Sequence, residues 1–241
     1  MSEKIWFLKR CDLFERLTSD EAERLERNAA MRTLRKEEII YFPGEPGQSV
    51  LVLARGRVKI KYITPDGKET IFTFIEEGEM FGVLALLDGA PRSQYAQAVE
   101  DSQVLVIPRK DLLWLMERKP SVALRVTKLL GIRLRRIENR LRNIVFRSTR
   151  ERVILLLLEL LESHGQKLAG RWEIGLRLTH QDLASLIGST RETVTQTLTQ
   201  LQREGLVQMH RQCIAVLDRA RFAKEAGELD QPPAELARRL T

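Results

Sequence analysis

The sequence predicts an α+β protein with three parts: an N-terminal β-barrel or jelly-roll domain, a long dimerisation helix and a C-terminal winged helix-turn-helix domain. Three stretches predict it. Between Arg32 and Ile107 the chain reads as short β-type runs broken by turns, the pattern of a small barrel or jelly roll. From Ser121 to about Arg147 apolar residues recur at heptad spacing. From Leu178 to Val207 two short helical patterns flank Gly188, and two short strands follow.

Composition sets the frame. The chain has 241 residues, enough for two modest domains, and 43% of them are hydrophobic, which implies a folded core. Forty Lys and Arg against 33 Asp and Glu leave a net charge of +7, a balance that fits a polyanionic partner. The longest apolar run, Val153 to Leu161, is too short to span a membrane and is interrupted by Glu159. The first ten residues lack the apolar core of a signal peptide. Cys11 and Cys213 lie far apart and imply no disulfide framework, so a cytoplasmic protein without membrane association is expected.

Taken in order, residues 3–30 carry a helical pattern through Leu13, Phe14, Leu17, Ala22, Leu25 and Ala29, and Ser19 before Asp20-Glu21 suits a helix start. Pro43 to Gly47 is a turn cluster. Strands are expected at Val50–Leu53, Val58–Tyr62, Glu69–Phe74, Tyr95–Val99 and Val104–Ile107, with a hairpin at Thr64-Pro65-Asp66-Gly67. A helix through Leu112, Leu113, Leu115 and Met116 leads to Pro120, which favours a break or restart.

The long helix follows. Ala123, Thr127, Leu130, Leu134, Ile137, Leu141 and Ile144 step by four and three, the seam of a parallel two-stranded coiled coil, hence a homodimer. With Thr127, Leu134 and Leu141 at a positions, Arg133 is a g and Glu138 an e residue. The two point about 140° apart on the helix and do not pair easily within one chain. A helix, Thr149 to Leu161, then opens the last domain, with a loop around Gly165 and Gly170 and a possible strand at Trp172–Leu176. The expected domains are 1–111, 112–147 and 148–220, with an appended tail at 221–241 that contains Pro232-Pro233.

In the helix-turn-helix stretch, Leu183, Leu186 and Ile187 face a core from the first helix, and Val194, Leu198 and Leu201 from the second. Gly188 suits the turn. Thr179 and Ser189 are placed as N-caps. The second helix of such a motif lies in the major groove with its first residues on base edges: here Thr190, Arg191, Glu192, Thr195 and Gln196. Arg binds guanine bidentately, Glu accepts from cytosine and Gln pairs with adenine. Thr179, His180 and Gln181, at the start of the first helix, join this candidate DNA-binding set with Ser189; His180 reads as an exposed or phosphate-contacting residue. A second reading of Glu192 is a capping box with Ser189. Leu206-Val207 and Cys213–Leu217, separated by His210-Arg211-Gln212, form a small wing.

Gly188-Ser189 with Thr190 to Val194 resembles the recognition helix of the CRP/FNR family of bacterial transcription regulators. The resemblance covers nearly the whole chain: FPGEPGQSVLVLARGRVKI, the hairpin PDGKE and EGEMFGVLALLDGAPRSQYAQAVEDSQVLVIP resemble its effector-binding, cyclic-nucleotide-binding-like domain. It implies double-stranded DNA with a palindromic operator of TGTGA-like half-sites, a second copy of the chain and RNA polymerase as partners. Arg191 and Glu192 match the residues that read a G·C pair each, and Gln196 replaces a second arginine.

In family members that bind cyclic AMP, a Glu holds the ribose hydroxyl and an Arg-Ser pair the phosphate. Arg92 and Ser93 match that pair, but Val83 stands at the Glu position. A buried, unpaired hydroxyl costs roughly 1–3 kcal/mol, about ten- to a hundredfold in affinity. Ile137-Glu138 replaces the adenine-contacting Thr-Ser pair. Phe81-Gly82-Val83-Leu84 is instead similar to the pocket segment of the NtcA-type nitrogen-control regulators, which bind 2-oxoglutarate, and Arg133 and Glu138 match an Arg and a Glu of that site or of its coupling across the dimer. The barrel arginine of those regulators falls at Gln94 here. The candidate effector set is therefore Phe81, Gly82, Val83, Leu84, Arg92, Ser93, Arg133 and Glu138. 2-Oxoglutarate is the expected ligand, and cyclic AMP or no effector at all are the alternatives. Two arginines suit a dicarboxylate because guanidinium binds carboxylate through two parallel hydrogen bonds.

An enzyme is not expected. The sequence has no nucleophile–base arrangement, metal spacing or P-loop, so no catalytic residue, metal or cofactor is assigned. Iron–sulfur sensing needs about four cysteines, and His164, His180 and His210 all lie in the C-terminal domain.

Overall fold

The computed structural model describes Lys4, Phe7, Cys11, Phe14 and residues 17–168, 171–210 and 213–230. Leu13, Gly170, Arg211, Gln212, the Pro232-Pro233 pair and the end of the expected tail, 231–241, lie outside them. The chain divides into two compact units, 1–137 and 138–241, with the division inside the long helix.

Helix α1 (Ser19–Asn28) starts one residue after Thr18, not on the expected Ser19 cap. The Thr18 hydroxyl accepts from the Glu21 N–H and the Glu21 carboxylate accepts from the Thr18 N–H, a reciprocal box that satisfies two donors of the first turn. Eight strands follow: β1 (Ala30–Leu34), β2 (Ile39–Tyr41), β3 (Ser49–Arg55), β4 (Val58–Ile63), β5 (Glu69–Ile75), β6 (Met80–Phe81), β7 (Tyr95–Ala98) and β8 (Ser102–Pro108). They form two antiparallel four-stranded sheets, ordered β1-β8-β3-β6 and β2-β7-β4-β5, so the expected barrel or jelly roll is a β-sandwich.

Two cores explain its composition. Leu51, Leu53 and Val104 point between the sheets with Val58, Ile60, Ile75 and Phe81. Val50, Val52, Leu105 and Ile107 point the other way, against Phe14, Leu25, Leu112 and Val126. Successive strand residues face opposite sides. A strand buried on both faces therefore reads as an unbroken apolar run, as 50–53 does.

After β6 the chain does not continue as a strand. Gly82 takes φ +75° and admits helix α2 (Val83–Asp88). Helix α3 (Arg109–Arg118) leads to α4 (Pro120–Phe146), with proline at a first helical position where its missing N–H costs nothing. Val122 and Val126 bury one face of α4 on the sandwich core. No helix among the described residues is long and apolar enough to cross a membrane.

In the second unit, α5 (Thr149–His164) is capped by Ser148 and Glu151, which reciprocate hydrogen bonds. Residues 165–168, expected as loop, form strand β9 (Gly165–Leu168), which pairs with β10 (Arg171–Ile174). Then come α6 (His180–Ile187), α7 (Arg191–Arg203), β11 (Val207–His210), β12 (Cys213–Val216) and α8 (Arg219–Asp230), with sheet order β11-β12-β10-β9. The stretch expected as an appended tail begins within α8. Phe222 is fully buried there, and Arg150 donates to Glu225 at 3.4 Å, so packing continues past residue 220.

Candidate DNA-binding and effector sites

Helix α6 is set by its ends. Thr179 caps it, exchanging hydrogen bonds with Asp182, and Gly188 closes it with φ +64° and ψ +50°, the left-handed conformation that glycine adopts without a Cβ penalty. Leu183, Leu186 and Ile187 are buried, as are Val194, Leu198 and Leu201 on α7. The two helices bury facing stripes and leave the opposite face of α7 to solvent.

That face carries the candidate base readers. Arg191, Glu192 and Gln196 are exposed, at the first, second and sixth positions of α7. The expected Ser189 cap is not formed. Thr190 caps α7, its hydroxyl accepting from the Thr193 N–H at 3.2 Å, while Ser189 donates its N–H to Ala184. The Ser189–Glu192 box is thus absent, because the helix begins one residue later than the motif requires. Hydrogen bonds from its own N–H, then from the Thr190 hydroxyl, hold the Glu192 carboxyl below the usual range, so it is an anion able to accept from a base.

Two of the expected DNA-binding residues also bond to each other. The Thr195 hydroxyl donates to the Arg191 carbonyl at 2.8 Å and lies 2.8 Å from His180 Nδ1. A hydroxyl has one proton, so with that proton on Arg191 the histidine is the donor. Thr195 and His180, the latter expected as an exposed or phosphate-contacting residue, are both half-buried, and their bond links the two helices. Gln181 is exposed, with its amide 3.3 Å from the Ser185 hydroxyl.

The first unit holds a cavity of about 520 Å³ between the sandwich and α4. Seven of the eight expected effector residues line it: Phe81, Gly82, Val83, Leu84, Arg92, Ser93 and Arg133. The eighth, Glu138, is exposed and falls in the second unit.

Arg92 is buried. Its Nη1 donates to the Gly82 carbonyl at 2.6 Å, its Nη2 donates to the Ser49 carbonyl, and its guanidinium carbon sits 4.5 Å from the centre of the Tyr41 ring. Gly82 is required for its positive φ, and a Cβ there would also lie 2.5 Å from Arg92 Nη1 and push the guanidinium aside. Arg133 Nη2 donates to the Met80 carbonyl. Burial pulls both guanidiniums below their ordinary values, yet arginine stays charged at any physiological pH. Burial pushes the Tyr41 hydroxyl up to about 12, against the pull of both guanidiniums. No Asp or Glu lines the cavity among the described residues, so its polar end is cationic.

Tyr41, Phe72 and Arg136 also line this cavity and were not foreseen. Nothing in the spacing links Tyr41 to Arg92; the pairing of β2 with β7 and the backbone bonds of Arg92 with Gly44 and Glu45 bring their neighbourhoods together.

Comparison with known proteins agrees with this architecture. The sequence model of the cyclic nucleotide-binding domain matches residues 31–119, and that of the Crp-like helix-turn-helix domain matches residues 151–225. The cyclic AMP receptor protein of Thermus thermophilus is 34% identical over 202 residues, 84% of this chain and 90% of that one. The chain belongs to the CRP/FNR family. As a CRP/FNR regulator it is also similar to the global nitrogen regulator of a Nostoc species, with 30% identity over 188 residues, 77% of this chain and 84% of that one. Among solved structures, FixK2 from Bradyrhizobium japonicum superposes with a TM-score of 0.72 at 27% identity, covering 86% of this chain and 99% of that one. The chain is accordingly a CRP/FNR-type DNA-binding transcription regulator with a cyclic-nucleotide-binding-like domain.

Proposed function

We propose that the protein acts as a homodimer on a palindromic operator, with its DNA affinity set by a small anionic effector. The exposed row Arg191, Glu192 and Gln196, on a helix whose other face is locked into a core, carries the DNA half of the reading. Arg92 and Arg133, unaccompanied by a lining carboxylate, carry the effector half. Binding acts as a population shift between two dimer states and requires the ligand to prefer one of them. RNA polymerase is the partner through which a bound regulator acts.

Two anions follow from relatives. 2-Oxoglutarate is supported by the Phe81–Leu84 segment, by the two guanidiniums and by the resemblance to global nitrogen regulators. Cyclic AMP is supported by Arg92 and Ser93 on the cavity wall and by relatives named for it, and opposed by Val83, which offers no acceptor to a ribose hydroxyl.

The test is fluorescence anisotropy of a TGTGA-N6-TCACA duplex at fixed salt, because phosphate contacts make affinity salt-dependent. Protein is titrated alone, with 2-oxoglutarate and with cyclic AMP. Tightening by an anion, lost in Arg92→Gln, is the expected result. Tight binding that neither anion alters removes these two as effectors. No preference for this duplex over random DNA overturns the sequence-specific half.

A further inference from the structure

The cationic end of the cavity fixes where an anion sits; the remaining wall restricts what that anion is attached to. Arg92 and Arg133 lie beside Tyr41, Gly82 and Met80 at the buried end. Away from them the wall is mostly apolar, with Ile60, Phe72, Leu84, Leu130, Leu134 and Ile137, and its polar members there are Thr73, Gln94, Thr127 and Arg136. Leu84, Leu134 and Ile137 carry this wall to the surface of the single chain, where Leu134 and Ile137 belong to the heptad seam.

Resting on the effector reading above, we infer that the effector is an organic monoanion with an apolar body, its charge on Arg92 and Arg133 and its body along Ile60, Phe72 and Leu130. A second carboxylate laid along Ile60, Phe72 and Leu130 loses its water and gains no donor from them, a penalty that ionised groups avoid by staying in solvent. A five-carbon dicarboxylate therefore satisfies the guanidiniums and leaves the apolar wall unfilled. The cavity volume of about 520 Å³ is in the range of sites that enclose drug-sized, mostly apolar ligands around a few polar anchors. A nucleotide's hydroxyls are no better served, since Val83 is buried at the wall and accepts no hydrogen bond. Both an aliphatic and an aromatic acid have the required chemistry.

The experiment is titration calorimetry of the full chain with the series butyrate, hexanoate and octanoate, with phenylacetate as the aromatic arm. Octanamide, phenylacetamide, 2-oxoglutarate and cyclic AMP are the comparators. Burial predicts that affinity rises about fourfold per added methylene. Each amide should bind at least tenfold more weakly than its acid. Arg92→Gln should remove the preference for acid over amide, and Phe72→Thr should flatten the chain-length series while leaving that preference. A better fit to octanoate or to phenylacetate identifies the source of the body.

The inference is overturned if 2-oxoglutarate or cyclic AMP binds and the apolar acids do not; the anionic-effector reading then stands. It also falls if acids and amides bind alike. If no acid and neither comparator anion binds up to about 10 mM, both readings fall together.

Discussion

Arg152 holds the carbonyl of Ile187. Its Nη1 donates there at 2.6 Å and reaches the Gly188 carbonyl at 3.3 Å, while Nη2 donates to the Thr149 hydroxyl at 3.2 Å. The last carbonyls of a helix have no partner within it, so a cation at the end of α6 supplies donors and opposes the helix dipole. Arg152→Ala should destabilise the second unit by about 1–3 kcal/mol, read from the midpoint of urea unfolding. An unchanged midpoint would mean that water replaces the guanidinium at no cost.

The one-residue shift of the α7 cap gives a sharp pair of variants. Thr190→Ala removes the hydroxyl that accepts from Thr193 and should cost about 1 kcal/mol. Ser189→Ala should leave stability near the parent value, since Ser189 meets Ala184 through its backbone N–H. The opposite order in chemical unfolding would restore the Ser189 cap.

Arg191→Ala should cost about 1–3 kcal/mol on the operator and relax preference at one guanine, with much less change on random DNA. Glu192→Gln should alter base preference at little cost in melting temperature, because the carboxylate is fully exposed, meets only its own N–H and the Thr190 hydroxyl, and closes no capping box. Equal losses on both DNAs would make Arg191 a phosphate contact.

Much of this was legible in the sequence, and the misses have physical causes. The stripe Val194, Leu198, Leu201 and the turn at Gly188 are local patterns, so spacing alone placed them. The run Val50–Leu53 signalled a strand, but not that both its faces are buried or which residue faces which core. Ser189 and Thr190 both suit a cap, and their choice depends on the hydrogen bond from Ser189 back to Ala184. β9 was lost among glycines because its partner β10 supplies its order. Arg92 was legible as a residue of the cavity, whereas Tyr41 beneath it was not. His180 read as a surface residue because its partner Thr195 lies on the next helix.

Acid should weaken the second unit. Hydrogen bonds from the Ser148 hydroxyl and N–H lower the Glu151 carboxyl, with Arg147 adding to them, and Arg150 lowers that of Glu204 despite partial burial. A carboxyl lowered in the fold binds fewer protons folded than unfolded. Its contribution is complete above the ordinary glutamate value of about 4.3 and is lost as pH falls through the lower folded value. Both groups lie near the surface, so the effect is modest and screened by salt. Melting temperature should fall below that range, and Glu204→Gln should flatten the fall. A variant as acid-sensitive as the parent would remove the Arg150 pair from the account.

The long helix makes the last prediction. Val122 and Val126 bury one face of α4, while Leu134, Ile137, Leu141 and Ile144 on the heptad seam remain 56%, 50%, 61% and 48% exposed in the single chain. An apolar row of that length at heptad spacing is the surface a second copy covers in a coiled coil. Leu141→Glu brings two like charges together across the two-fold axis and should give a monomer in sedimentation velocity, with helix content unchanged in circular dichroism. Operator affinity should fall to that for random DNA, because one recognition helix reaches one half-site. Leu141→Ile keeps an apolar a position and should stay dimeric. A Leu141→Glu protein that sediments as a dimer would move the interface off this helix.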